Sequence, residues 1–139
     1  MTRCELDVPP LDARLLRAGP HPALHGWRCE RCARLSLGLR DVCPFCGGRD
    51  GRETQLSSVA TLETWTRVAA TPPYVVAYGR LGDGEDDQTV VVLGPVDVVD
   101  GDESGLFAGQ RLDVRFSCSA LPSGERIHHR FVPDSGAFA

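Results

Sequence analysis

Two C-x-x-C pairs, Cys29-Glu30-Arg31-Cys32 and Cys43-Pro44-Phe45-Cys46, constrain this chain more than any other feature. Each pair forms a tight knuckle presenting two thiolates, and two facing knuckles complete a four-coordinate tetrahedral site. Only residues 33–42 separate the pairs, fewer than the ~15–20 of the commonest finger template, a spacing that suits a two-hairpin ribbon of rubredoxin type. Gly47-Gly48 follows the second pair, where a knuckle turn needs residues that tolerate positive φ. The expectation is a structural zinc ribbon with Cys29, Cys32, Cys43 and Cys46 as ligands of one ion; two disulfides or four idle thiols are the alternative. His21 and His25 lie just upstream, but four thiolates saturate a structural zinc. They also leave no open position for water or substrate, so the metal is expected to be a folding element and not a Lewis acid.

No apolar run is long enough to span a bilayer, and Met1-Thr2-Arg3-Cys4-Glu5-Leu6-Asp7 lacks the charged-then-apolar design of a secretion signal. A cytoplasmic location is expected, with Cys4 and Cys118 kept as thiols there. The net charge of −4 is unevenly spread: residues 1–56 carry nine Arg against seven acidic residues, residues 57–139 six Arg against twelve. There is no Lys, which removes Schiff-base chemistry from consideration.

Along the chain, the Ala, Leu and Arg content of residues 12–18 predicts a short helix with Leu11, Leu15 and Leu16 on one face, ended by Gly19-Pro20. Residues 21–26 read as linker. Leu35 to Leu39 alternates apolar and small residues as a ribbon strand would. From Ser57 the texture is β-rich, with strands predicted over 58–69, 74–81, 89–93, 112–118 and 126–132, the third closed by Gly94-Pro95. Leu112, Val114, Phe116 and Cys118 share one face of the fourth strand; Ile127, His129 and Phe131 share one face of the fifth. Five such strands with no ordinary amphipathic helix between them predict a mainly β chain built on a small OB-type barrel, with an SH3-like barrel as the competitor. The predicted units are an N-terminal helix and linker (1–26), the zinc ribbon (27–56), the OB-fold barrel (57–134) and a tail (135–139).

Chemistry-bearing motifs are sparse. No G-x-S-x-G elbow, phosphate-cradling glycine loop or paired buried carboxylates stand out. Asp100 to Gly105 begins like a calcium loop, but position twelve is Arg111, where a bidentate Glu is required. His128 and His129 are strand neighbours pointing to opposite faces and cannot share one proton. A ribbon joined to an OB barrel raises single-stranded nucleic-acid binding as one function class. The acidic barrel opposes it, unless its Arg residues gather with Tyr74, Tyr78 and Phe116.

The order of parts adds a resemblance. A short N-terminal helix, then C-x-x-C and C-P-x-C-G, a long Thr-rich strand, the turn Thr71-Pro72-Pro73-Tyr74, a V-x-x-G-x-L-type strand, an acidic turn and the late Phe107-Ala-Gly-Gln-Arg-Leu112 resemble acyl-CoA-associated proteins with a rubredoxin-like zinc ribbon and an OB fold, long catalogued as a domain of unknown function. The likeness runs from about Leu11 to Pro133. The four ribbon cysteines fall on that family's zinc ligands; Ala33 departs from it, since many relatives carry Gly there. The resemblance implies a subunit that is no enzyme on its own. It implies a hetero-oligomer with a thiolase-like or ketosynthase-like enzyme, or with an acyl-CoA hydratase or aldolase, in which the subunit helps shape a coenzyme A or acyl channel. Trp65, Pro73 and Tyr74 are the residues expected to line that channel, and the basic ribbon half is expected to attract the anionic end of coenzyme A.

Overall fold

The structure, a computed structural model, describes residues 8–82 and 88–133. It is mainly β, with nine strands and a single 3₁₀ turn, Val99–Gly101, among the named elements. No helix among the described residues is long and apolar enough to cross a membrane.

The first sheet is organised on β2 (Ala23–Cys29). Along one edge it pairs with β1 (Leu16–Arg17) and then β3 (Leu35–Leu37); along the other it pairs with β4 (Gly51–Gln55), all antiparallel. Because β2 packs on both faces, its burial does not alternate: Leu24 turns to the barrel core, whereas Trp27 and Cys29 pack with Cys43. Gly51 is required by the Trp27 ring, since a Cβ there would lie 2.2 Å from Trp27 Cζ2.

The helix expected over 12–18 is not formed. A single turn replaces it: Asp12 Oδ1 accepts the Arg14 N–H and the Asp12 carbonyl accepts those of Leu15 and Leu16. Leu16 then enters β1 and is buried against the barrel. A helix this short is marginal, and burying Leu16 opposite Leu24 outweighs its propensity. β2 likewise begins at Ala23, inside the stretch read as linker.

β5 (Val59–Val68), β6 (Tyr74–Leu81), β7 (Val90–Val96), β8 (Arg111–Leu121) and β9 (Gly124–Pro133) close into a barrel of order β5-β6-β7-β9-β8. Neighbours are antiparallel except β7 and β9, which meet in parallel at Val96 and Phe131. This order, with the third and fifth barrel strands parallel, is that of an OB barrel. The third strand does not stop at Gly94-Pro95 but runs on to Val96. Its pairing with β9 touches only Val96, so β7 is nearly an edge at Pro95 and the missing N–H costs no ladder bond. In β5 a bulge between Leu62 and Thr64 shifts the phase of the strand, so that Trp65 joins Leu62 against the core. Gly79 and Gly94 flank Phe131: a Cβ at either would stand 2.9 and 3.1 Å from its ring.

Cys118 is disulfide-bonded, against the expectation of a thiol; compartment governs how long a disulfide survives, not whether two sulfurs lie within bonding reach. Cys4 lies outside the described residues. The segment before the turn extends the barrel sheet, with Leu11 N–H donating to the Ile127 carbonyl at 2.9 Å and Ile127 N–H to that of Pro9 at 3.0 Å.

Candidate functional site

The four ribbon cysteines converge. All four Sγ atoms lie within 4.8 Å of one another, with Cys29 to Cys46 at 3.6 Å and Cys32 to Cys43 at 3.7 Å. Metal–sulfur bonds of ~2.3 Å in tetrahedral array place sulfurs ~3.8 Å apart, whereas a disulfide needs ~2.05 Å. The geometry therefore fits one tetrahedral ion and excludes disulfides among these four, which are free thiols.

The two knuckles repeat the same backbone pattern. Ala33 N–H donates to the Cys29 carbonyl and Gly47 N–H to that of Cys43, both at 3.0 Å. Backbone N–H groups also point at sulfur, from Arg31 to Cys29 at 3.3 Å, from Phe45 to Cys43 at 3.4 Å and from Gly48 to Cys46 at 3.4 Å. Such donors favour thiolate. The Cys32 N–H leads in holding the Cys29 thiol below its ordinary value. Burial pushes Cys43 up, but the N–H groups of Cys46 and Phe45 and its sulfur neighbours outweigh it and bring it down to about 7. At Cys32 the Arg34 N–H favours ionisation, but burial and the three neighbouring sulfurs raise it to about 11. Four thiols at this spacing do not all ionise without a cation. Arg34 adds a clasp between knuckles, its guanidinium 4.0 Å from the Phe45 ring centroid.

The knuckles differ at the left-handed residue that follows each pair. Ala33 sits at φ 65, where Gly47 sits at φ 78. A left-handed conformation costs a non-glycine residue ~1–2 kcal/mol, partly offset by the smaller entropy Ala loses on folding. Ala33→Gly is expected to raise stability by up to ~1 kcal/mol, read as a higher denaturation midpoint with unchanged metal content.

The histidines stand apart from the metal site. His25 Nδ1 pairs with Glu53 Oε2 at 2.8 Å across β2 and β4. His129 is buried in the barrel and its Nε2–H donates to the Leu93 carbonyl at 2.8 Å. His128, on the opposite face, donates from Nδ1 to the His129 carbonyl and accepts the Ser119 hydroxyl at Nε2, 2.8 Å away. Burial, more than the opposing bond to Leu93, holds His129 below its ordinary value. The unfolded chain thus binds the extra proton first, so this contribution is complete above about pH 6.5 and is lost as pH falls below it. Denaturation at about pH 7.5 and at about pH 5 should show wild type losing more stability than His129→Gln. One proton bound only by the unfolded chain sets the ceiling on that extra loss, ~1.4 kcal/mol for each pH step of one below about 6.5.

The residues expected to line a channel occupy one end of the barrel. Trp65 is half-buried and its Nε1–H donates to Glu103 Oε1 at 3.0 Å. Pro73 follows the cis Thr71–Pro72 peptide and packs against Gly101, where a Cβ would stand 3.0 Å from that of Pro73. Tyr74 opens β6 with its side chain turned outward and 48% exposed. Tyr78, four residues on along the same face, is 47% exposed, and Leu93, its register partner on β7, is 52% exposed. Val76 and Pro95 pair between them. The period-2 spacing of Tyr74 and Tyr78 was open to sequence reading; the contribution of Leu93 depends on strand register.

Among the described residues, most of the groups that a nucleic-acid face would use are engaged within the barrel. Phe116 packs toward the core. Arg67 is bound to the Gly101 carbonyl, Arg80 pairs with Glu63, Arg111 and Arg115 pair with Asp113, and Arg130 pairs with Asp97. The acidic loop holds itself together, Asp102 Oδ1 accepting the Ser104 N–H at 3.0 Å; the Ser104 hydroxyl first, and then that N–H, keep the Asp102 carboxyl below its usual range.

Among solved structures, a chain of the Ltp2-ChsH2(DUF35) aldolase is similar at a TM-score of 0.61 and 20% identity, over 80% of this chain and 84% of that one. At that identity the likeness is one of fold. No family model matches the sequence, and no curated protein matches it.

Proposed function

We propose that this chain is a non-catalytic accessory subunit that docks on an acyl-CoA-transforming enzyme, with its ribbon held by one structural zinc. The observation that carries the reading is the outer face of β6 and β7. Tyr74, Tyr78 and Leu93 each leave about half their surface in solvent and adjoin in register with Val76 and Pro95. A contiguous apolar patch with aromatic anchors is how interaction surfaces differ from ordinary exposed residues. Trp65, bonded to the Glu103 carboxylate, Pro73, packed on Gly101, and the neighbouring Tyr74 are proposed to form part of the wall of a coenzyme A or acyl passage shared with the partner.

The class of partner follows from resemblance. Thiolase-like and ketosynthase-like enzymes are the first reading from sequence order; an aldolase partner is favoured by the fold shared with a chain of the Ltp2-ChsH2(DUF35) aldolase. Zinc is the natural ion for a closed site of four thiolates.

Purification of the tagged chain from its source organism should bring an acyl-CoA enzyme with it through a sizing column. Leu93→Glu and Tyr78→Arg, at exposed positions, should abolish that co-elution and leave the melting temperature unchanged. Elution of the wild-type chain alone, or undiminished co-elution of both variants, would sink the reading. The identity of the co-eluting enzyme decides between thiolase and aldolase.

A further inference from the structure

A cavity of about 360 Å³ lies between the N-terminal turn and the β8–β9 hairpin, within the ~300–1,000 Å³ range of ligand sites. Leu11, Leu15, Leu121, Ile127 and Pro95 supply its walls. Of these, Pro95 alone also belongs to the proposed docking face; the metal ligands and the residues assigned to the channel do not line the cavity.

Its polar groups are few, and most are already engaged. Asp12 accepts the Arg14 N–H, Ser119 and His128 bond each other, and His129 is turned to Leu93. Arg126 is different: one guanidinium nitrogen donates to the Glu125 carbonyl at 2.8 Å, and among the described residues it forms no ion pair with any acidic group. A permanent cation with donors to spare at the edge of an apolar cavity is complementary to an anion on an apolar tail.

The geometry points to a binding site for an unbranched aliphatic carboxylate, with the chain along Leu11, Leu15 and Leu121 and the carboxylate at Arg126. The inference stands on the cavity and not on the accessory-subunit reading, because the chain alone contains every wall of the site. Its failure would leave the co-elution experiment untouched, and the reverse also holds.

The test is calorimetric titration of the full chain with hexanoate, octanoate, decanoate and 1-decanol, each below its micelle-forming concentration. Affinity should rise about fourfold for each added methylene, the increment expected for apolar burial. Arg126→Gln should weaken decanoate about tenfold while changing 1-decanol less than twofold. Leu11→Gln and Leu121→Gln replace rim residues that are 58% and 39% exposed, so they should fold normally, and each should weaken both ligands severalfold. A flat chain-length series, equal loss of carboxylate and alcohol in Arg126→Gln, or unchanged binding in both rim variants would overturn the assignment.

Discussion

Freshly purified protein is expected to carry about one zinc per chain, and removing it is expected to unfold the ribbon. Apparent metal-binding energies of ~10–16 kcal/mol in small zinc-bound modules are folding energies, because the site does not exist in the unfolded chain. Here the effect has a local reporter. Trp27 is 6% exposed and packs with Cys29 and Cys43, so losing the ion should free the knuckles and expose its indole. Chelation, or Cys43→Ser, should shift tryptophan emission to longer wavelength; the same treatment of Trp27→Phe, which retains Trp65, should produce little shift. Unaltered emission and amide protection after elemental analysis has verified metal loss would rule out a structural role. The ion should also leave more readily in acid, since protons compete for every thiolate.

Phe131→Ala is expected to be the most damaging single change in the barrel. The side chain is fully buried, stands edge-on to His129 with centroids 5.9 Å apart, and fills the space left by Gly79 and Gly94. Truncation at such a site costs ~3–5 kcal/mol, a large share of the ~5–15 kcal/mol that holds a domain folded. The two glycines provide no side chain to move into the void, so collapse is restricted and the upper part of that range is expected. Denaturant titration gives the measurement; a loss under ~1 kcal/mol would show that the pocket closes after all.

The sequence carried much of this fold because its strongest signals are local. Two closely spaced C-x-x-C pairs point to facing knuckles, and the alternation in β8 and β9 shows which residues share a face before any partner strand is known. The helix expected over 12–18 failed because local propensity carries no information about Leu24, the residue that captures Leu16. The same limitation applies to the candidate surfaces. Tyr74 and Tyr78 share a face by simple alternation, but Leu93 joins them only through the β6–β7 register. The cavity at Arg126 is assembled from the N-terminal turn, β7 and the β8–β9 hairpin, which no periodicity relates. The bulge in β5 likewise moved Trp65 to the core side of a strand whose uninterrupted phase placed it opposite Leu62.

Ribbon and barrel are joined by more than the short link between β4 and β5. Leu56, within that link, is buried, and it joins Leu16, Leu24 and Leu35 in the same cluster as Leu62, Val75 and Phe131; its N–H donates to the Leu24 carbonyl at 3.0 Å. The two lobes therefore have no hinge between them. A partner that grips the exposed Phe45 at a knuckle tip and the tyrosines on the barrel would meet two anchor points at a preset separation and would not have to freeze an interlobe motion on binding. The usual entropic penalty for ordering a two-part ligand is met during folding of this chain, so that any partner contacting both lobes at once would need a surface of matching spacing.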